Sequence, residues 1–181
     1  MKKRVVKIFA LVVFLALTTE SVLAYNPLLG GKLINGVGNV CYTVNGGAAD
    51  YSWYINDAAY NWEHTGWDNP IYMTAVSSSY GSTIDFYSRA DGNNDVLAYT
   101  IFFNASGNQQ SYTSNYLYSQ IWINSSIIGN YNIGGTMRHE IGHAFGMNEN
   151  NGNAYSIMSQ TWKRQVQTVQ KVDNDTINYL Y

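Results

Sequence analysis

The residues best equipped for chemistry are His139-Glu140-Ile141-Gly142-His143. Positions four apart on an α-helix share a face, so His139 and His143 would present two imidazoles to one ion. Glu140 lies beside them, placed to act on a water bound to that ion rather than to bind the ion itself. A catalytic zinc takes three protein ligands and leaves a fourth position to water. The third ligand must come from beyond the helix. Gly146 allows the sharp turn this needs, because glycine accepts positive φ without a side-chain clash. Three residues later Glu149 offers an anionic oxygen, whereas Asn148 and Asn150 are neutral amides and weaker ligands. The only other histidine, His64, sits in a different segment without a partner at ligand spacing. Bound zinc lowers the pKa of its water toward ~7. Glu140 would then serve as general base and pass the proton to a leaving amine, which is the chemistry of peptide-bond hydrolysis.

The rest of the chain must hold these groups. Its 181 residues, 46% hydrophobic, are enough for one domain with a substantial core. Charged residues are only 12% and the net charge is −2, so there is no basic footprint for nucleic acid. A single cysteine, Cys41, excludes an internal disulfide and a multi-cysteine zinc site. Met1-Lys2-Lys3-Arg4 followed by an apolar run from Ile8 to Leu17, too short to span a bilayer, reads as a secretory signal. Cleavage is expected after Ala24, leaving residues 25–181 as a single exported domain, monomeric and without a membrane anchor.

Residues 25–38 are Gly-rich and lack periodicity, as in an irregular leader. Val40 to Val44 is a β-prone run closed by Asn45-Gly46-Gly47, with Cys41 packed in it as a small apolar residue. A thiol that caps the metal is the alternative reading of Cys41. A helix follows, with Asp50 as N-cap, Tyr51, Ile55, Ala58, Ala59 and Trp62 on its inner face, and Gly66 at its end. Ile71 to Ala75, Thr83 to Tyr87, Leu97 to Phe103 and Ile121 to Asn124 are expected strands. The loop from Arg89 to Asp95 carries Asp and Asn side chains that could hold calcium, with a plain turn as the simpler reading. Asn104 to Asn115 reads as an exposed loop, and Lys171 to Tyr181 as a closing helix capped by Asp173 or Asn174, with Val172, Thr176, Ile177 and Leu180 inward.

With Met158 in Tyr155-Ser156-Ile157-Met158 beyond Glu149, the chain resembles the metzincin metallopeptidases, and among them the matrixin-like branch. The early helix and Asp173 to Tyr181 are similar to matrixin helices, so the resemblance extends over residues 38–181. It implies an α+β, zincin-like fold: a twisted, mostly parallel sheet with one antiparallel edge strand, a backing helix, an active-site helix and a C-terminal helix. It further implies one zinc held by His139, His143 and Glu149, with Glu140 catalytic. Met158 would form a methionine turn as the apolar floor beneath the metal. A peptide or protein substrate would lie as an added strand along the sheet edge at Leu97 to Thr100, and Ser159 to Trp162 would border the pocket for the residue after the cut. The sequence departs from the family pattern at Glu149, where His or Asp is usual, and at Gln160, where some members carry a tyrosine. The reading from another class is a secreted protein- or peptide-binding module that keeps the fold without catalysis.

Overall fold

The computed structural model describes residues 25–181; the signal segment expected over residues 1–24 lies outside them. β1 (Val40–Val44), β2 (Met73–Ala75), β3 (Ile84–Arg89), β4 (Ala98–Phe103), β5 (Gln109–Gln110) and β6 (Tyr118–Asn124) form one sheet in the order β2-β1-β3-β6-β4-β5. β2, β1, β3 and β6 run parallel, and β4 lies antiparallel to β6. β1, β3 and β6 are rich in β-branched and aromatic residues. Val40, Tyr42, Ile84, Phe86, Ile121 and Ile123 alternate onto the buried face. β5 pairs only with Phe102 and Phe103, so the outer edge of β4 is left free over Ala98 to Ile101. This is an α+β fold with a mostly parallel sheet and an antiparallel edge.

Three helices accompany the sheet: α1 (Ser52–Glu63), α2 (Ile133–Ala144) and α3 (Lys171–Leu180). α1 buries Ile55, Ala58, Ala59 and Trp62, at the helical spacing read from the sequence. It backs α2 directly. The Trp62 indole donates to the Arg138 carbonyl at 2.9 Å, and Arg138 Nη2 pairs with Asp57. α2 is buried from Gly134 to Gly142, so it runs through the core rather than over it. Its N-terminus is capped by Asn132, whose side chain accepts the Gly135 amide at 2.7 Å. Its last carbonyls find tyrosine hydroxyls: Tyr116 donates to Ala144 at 3.0 Å and Tyr181 to Phe145 at 2.9 Å. Among the described residues no helix is long and apolar enough to cross a membrane.

Several local expectations change. Gly46–Tyr51 winds as a 3₁₀ turn leading straight into α1, so Asp50 lies inside a turn and has no free helix end to cap. α3 starts from Gln170, and Asp173 sits within its first turn, accepting the Gln170 amide at 2.8 Å. Asp173, Asn174, Thr176 and Ile177 form its buried side, while Val172 and Leu180 are half-buried. The segment at 25–38 is irregular, as expected, but is fixed to the domain. Leu28 bridges to Met147 and Leu33 to Tyr116, and Leu33 and Val37 are in the core. Its irregular path shows no period in the sequence because its partners lie on other elements.

Candidate metal centre

α2 brings His139 and His143 one turn apart, with ring centroids 4.6 Å from each other. The Nδ1 of each faces a backbone carbonyl: His139 at 2.9 Å from Ile157 O, His143 at 2.8 Å from Met147 O. Those carbonyls can only accept, so each Nδ1 carries a proton and, in the neutral ring, each Nε2 keeps the lone pair that a metal would take. Both Nε2 atoms turn toward Glu149, whose Oε1 lies 3.3 Å from that of His139 and 3.6 Å from that of His143. Two ligands bound to one zinc at ~2.0–2.1 Å in a tetrahedron stand roughly 3.4 Å apart, so Glu149 already stands at ligand spacing from both imidazoles. Glu149 Oε2 is buried without a hydrogen-bond partner, an anionic atom that a bound cation would satisfy. Among the described residues His139, His143 and Glu149 form the one His/Cys/Asp/Glu group able to hold a metal ion.

The turn that returns Glu149 to the helix is built by Gly146 at φ +98°, where a Cβ would also stand 2.9 Å from Gly31 O. Behind it, the segment at 26–29 runs alongside as an added strand. Leu29 N donates to Gly146 O at 2.9 Å and Asn148 N to Pro27 O at 2.7 Å. Asn26 is buried and accepts from Asn150 Nδ2 at 2.6 Å and Ser156 Oγ at 2.8 Å, while donating to Asp173 Oδ1 at 2.7 Å. One buried amide thus joins the Glu149 loop, the methionine segment and α3. Asp173 completes the clamp by accepting Ile157 N at 3.0 Å, and the Ile157 carbonyl in turn orients His139. Met158 is fully buried against Gly142, between the two histidines in sequence. Its carbonyl accepts Asn150 N at 2.8 Å, beside Glu149.

Glu140 is buried one residue from His139, and its Oε2 accepts the Thr100 hydroxyl at 2.7 Å. Thr100 lies on β4, so the carboxylate is tied to the free sheet edge. Both open into a cleft of about 1000 Å³ that reaches from Ala98, Tyr99 and Thr100 across the three-residue group to Gln160, Thr161 and Trp162.

The charges within the site shift one another. Burial alone would push the Glu149 carboxyl up, but hydrogen bonds and charge from His139 and His143 bring it down to about 2. Burial likewise favours neutral His143, yet the hydrogen bond to Glu149, with the Glu140 charge and the Met147 carbonyl, raises its pKa overall. Burial also raises Asp173, against the hydrogen bonds from Ser156, Ile157, Asn26 and Gln170. Without an ion Glu149 therefore stays a carboxylate, and His143 beside it holds a proton more readily than a free imidazole.

The structure thus brings together His139, Glu140, His143 and Glu149, with Met158 packed on Gly142 of the same helix. His64 is elsewhere, exposed at the end of α1 with its ring stacked on Tyr60. Cys41 is a half-buried free thiol on β1, outside the metal-capable group. In the loop from Arg89 to Asp95, Asp91 pairs with Arg89 at 2.6 Å and Asn94 Oδ1 accepts Val96 N at 3.1 Å, and among the described residues the loop holds no group of three metal-capable side chains. Sequence reasoning missed Thr100 as the partner of Glu140, and Asn26 and Asp173 as supports. Alternation marks Thr100 as a strand residue, but only the sheet order puts its hydroxyl against α2. No family model matches this chain, and no curated protein matches it either.

Proposed function

We propose that the chain is a secreted zinc-dependent endopeptidase of metzincin type, nearest the matrixin-like branch. The observation that carries this reading is Glu140, held by Thr100 at a free sheet edge directly beside a ready three-ligand group. A binding module has no use for a carboxylate kept in that place. Two imidazole nitrogens and one carboxylate oxygen suit zinc, and His139, His143 and Glu149 would hold it. Bound there, zinc supplies a Lewis acid and a water acidified toward neutral pH.

The chain's own residues do the rest. A peptide lies as an extra strand on the open edge from Ala98 to Thr100, its backbone fixed by main-chain hydrogen bonds. Glu140 takes the proton of the attacking water as its oxygen joins the carbonyl carbon. It then delivers that proton to the amide nitrogen as the C–N bond breaks. The Thr100 hydroxyl keeps Oε2 directed into the cleft. The Ile157 and Met147 carbonyls keep both imidazoles in the ligating tautomer.

The test compares the parent chain with Glu140→Ala, measuring bound zinc and cleavage of an unstructured protein. Both should hold about one zinc per chain, set by the three-ligand site, and only the parent should cut, with chelator abolishing cleavage. Zinc-loaded parent protein that cuts nothing in a broad peptide library sinks the proposal.

A further inference from the structure

The loop that leads into β4 carries Asp95, the one residue other than glycine with positive φ among those described, at +62°. The backbone on both sides of it is pinned. Asn94 Oδ1 accepts the Val96 amide at 3.1 Å, closing a turn around Asp95. Asn124, at the end of β6 and 1% exposed, holds the same loop. Its Nδ2 donates to Gly92 O at 2.9 Å and to Val96 O at 3.0 Å, and its Oδ1 accepts the Asp91 amide at 3.1 Å. Its own amide donates to Leu97 O at 2.9 Å. A left-handed backbone held in this way fixes where the Asp95 side chain leaves the loop.

Asp95 lines the cleft together with Ala98, Thr100 and Glu140, and it is exposed there. Among the described residues its carboxylate pairs with no Lys, Arg or His. The one cation of its loop is committed elsewhere: Arg89 Nε pairs with Asp91 at 2.6 Å, and Nη2 donates to the Tyr99 hydroxyl at 2.6 Å. No Lys or Arg lines the cleft, whereas Asp95, Glu140 and Glu149 do. Glu149 faces two imidazoles and Glu140 is held by Thr100, so Asp95 is the acid of the cleft without a partner of its own. Asn or Gly would serve the turn equally well, because both take positive φ readily. What Asp adds is a negative charge at one end of the cleft.

We infer that Asp95 makes the cleft select protein segments that carry Lys or Arg on the side of the cut lying over Ala98. The inference rests on the endopeptidase reading and adds a substrate class to it. The free edge of β4 runs from Ala98 to Ile101, and Thr100 within it is bonded to the proposed base. A strand added there advances ~3.3 Å per residue, in step with β4. Asp95 stands just beyond Ala98, so it meets a substrate side chain about two to four residues from the scissile bond. A basic side chain gives the Asp95 carboxylate its counter-charge. Gln has similar reach without the charge, and Glu is repelled.

Two measurements test this separately from catalysis as such. In the first, a peptide cut by the zinc-loaded chain is remade with Arg, Gln or Glu at each position near the cut. On one side of the cut Arg should exceed Gln in kcat/KM by about two- to fivefold, the usual value of an exposed ion pair, and Glu should fall below Gln. Raising the salt to about 0.5 M should shrink the gap. Asp95→Asn, which still accepts positive φ, should erase this order while the Gln peptide is still cut, and Asp95→Lys should reverse it. Cleavage with no preference for Arg, or a preference that survives in Asp95→Asn, overturns the inference and leaves the endopeptidase reading standing. In the second, zinc-loaded Glu140→Ala chain is titrated against short, blocked, fluorescently labelled peptides that differ only in a central Arg or Gln, and binding is read by anisotropy. The Arg peptide should bind about two- to fivefold tighter, and adding Asp95→Asn should remove the difference. Equal binding of the two peptides overturns the inference even if no peptide is cut.

Discussion

The Thr100 hydroxyl lies 2.7 Å from Glu140 Oε2 and 3.2 Å from the Glu140 carbonyl, so one side chain of the edge strand grips the proposed base from two sides. Thr100→Val keeps the shape of this contact and removes the donor. Glu140 then loses its orientation, and kcat should fall about tenfold, as expected for a hydrogen bond to a charged group. KM and zinc content should stay as in the parent. Steady-state kinetics with metal analysis separates this outcome from loss of the metal.

Glu149 and Glu140 should divide cleanly. Glu149→Ala removes the carboxylate that stands 3.3 Å and 3.6 Å from the two imidazoles. Zinc affinity should drop by more than about 100-fold, since losing a supporting hydrogen bond alone costs ~10–100-fold. Competition with a chromogenic chelator measures it. Zinc binding equal to the parent would place the third ligand elsewhere.

The metal-free chain should show a two-sided pH dependence. Glu149 titrates at about 2 in the folded chain against an ordinary 4.5, so its contribution is complete above pH 4.5 and is lost as pH falls toward 2. His143 is raised from 6.5, so its contribution is complete below pH 6.5 and is lost as pH rises through the folded value. Thermal unfolding in chelator should therefore show the greatest benefit from this pair between pH 4.5 and 6.5. Glu149→Gln should flatten both limbs. Zinc affinity should weaken on acidification, because protons compete for His143.

Gly142→Ala probes the methionine floor. A Cβ at this position would overlap Met158 Sδ and crowd Met147 Cε at 3.2 Å. Overpacking of this kind typically costs ~1–3 kcal/mol. A lowered midpoint in denaturant, with weakened zinc binding as the floor shifts beneath His139 and His143, is the expected result. Unchanged stability and metal affinity would mean that the contact relaxes freely.

Much of the framework was readable without coordinates, because its signals are local. The apolar positions of α1 follow from the helix period, and the alternation from Leu97 to Phe103 marks a strand, although Phe102 rather than Tyr99, Ile101 or Phe103 is the residue β4 buries. Two glutamines carry no period, so β5 is not legible in the sequence, and the anchoring of the irregular N-terminal segment is not legible because its partners are far away in sequence. Asp173 looked like a helix cap and is nearer a keystone: it takes the Gln170 amide and also the Ile157 amide, and only the second contact matters to His139.

By itself, the sequence determined the inventory and spacing of the candidate site: two histidines at helical separation, a glutamate between them, a glycine where the helix must stop, and one anionic residue beyond it. Those relations span at most a dozen residues, and local backbone geometry dictates them. The tertiary structure decided which groups meet from a distance. It set Glu149 against both imidazoles, Thr100 against Glu140, and Asn26 behind the metal loop. Such meetings depend on sheet order and on which elements pack face to face, and no pattern within one segment encodes them.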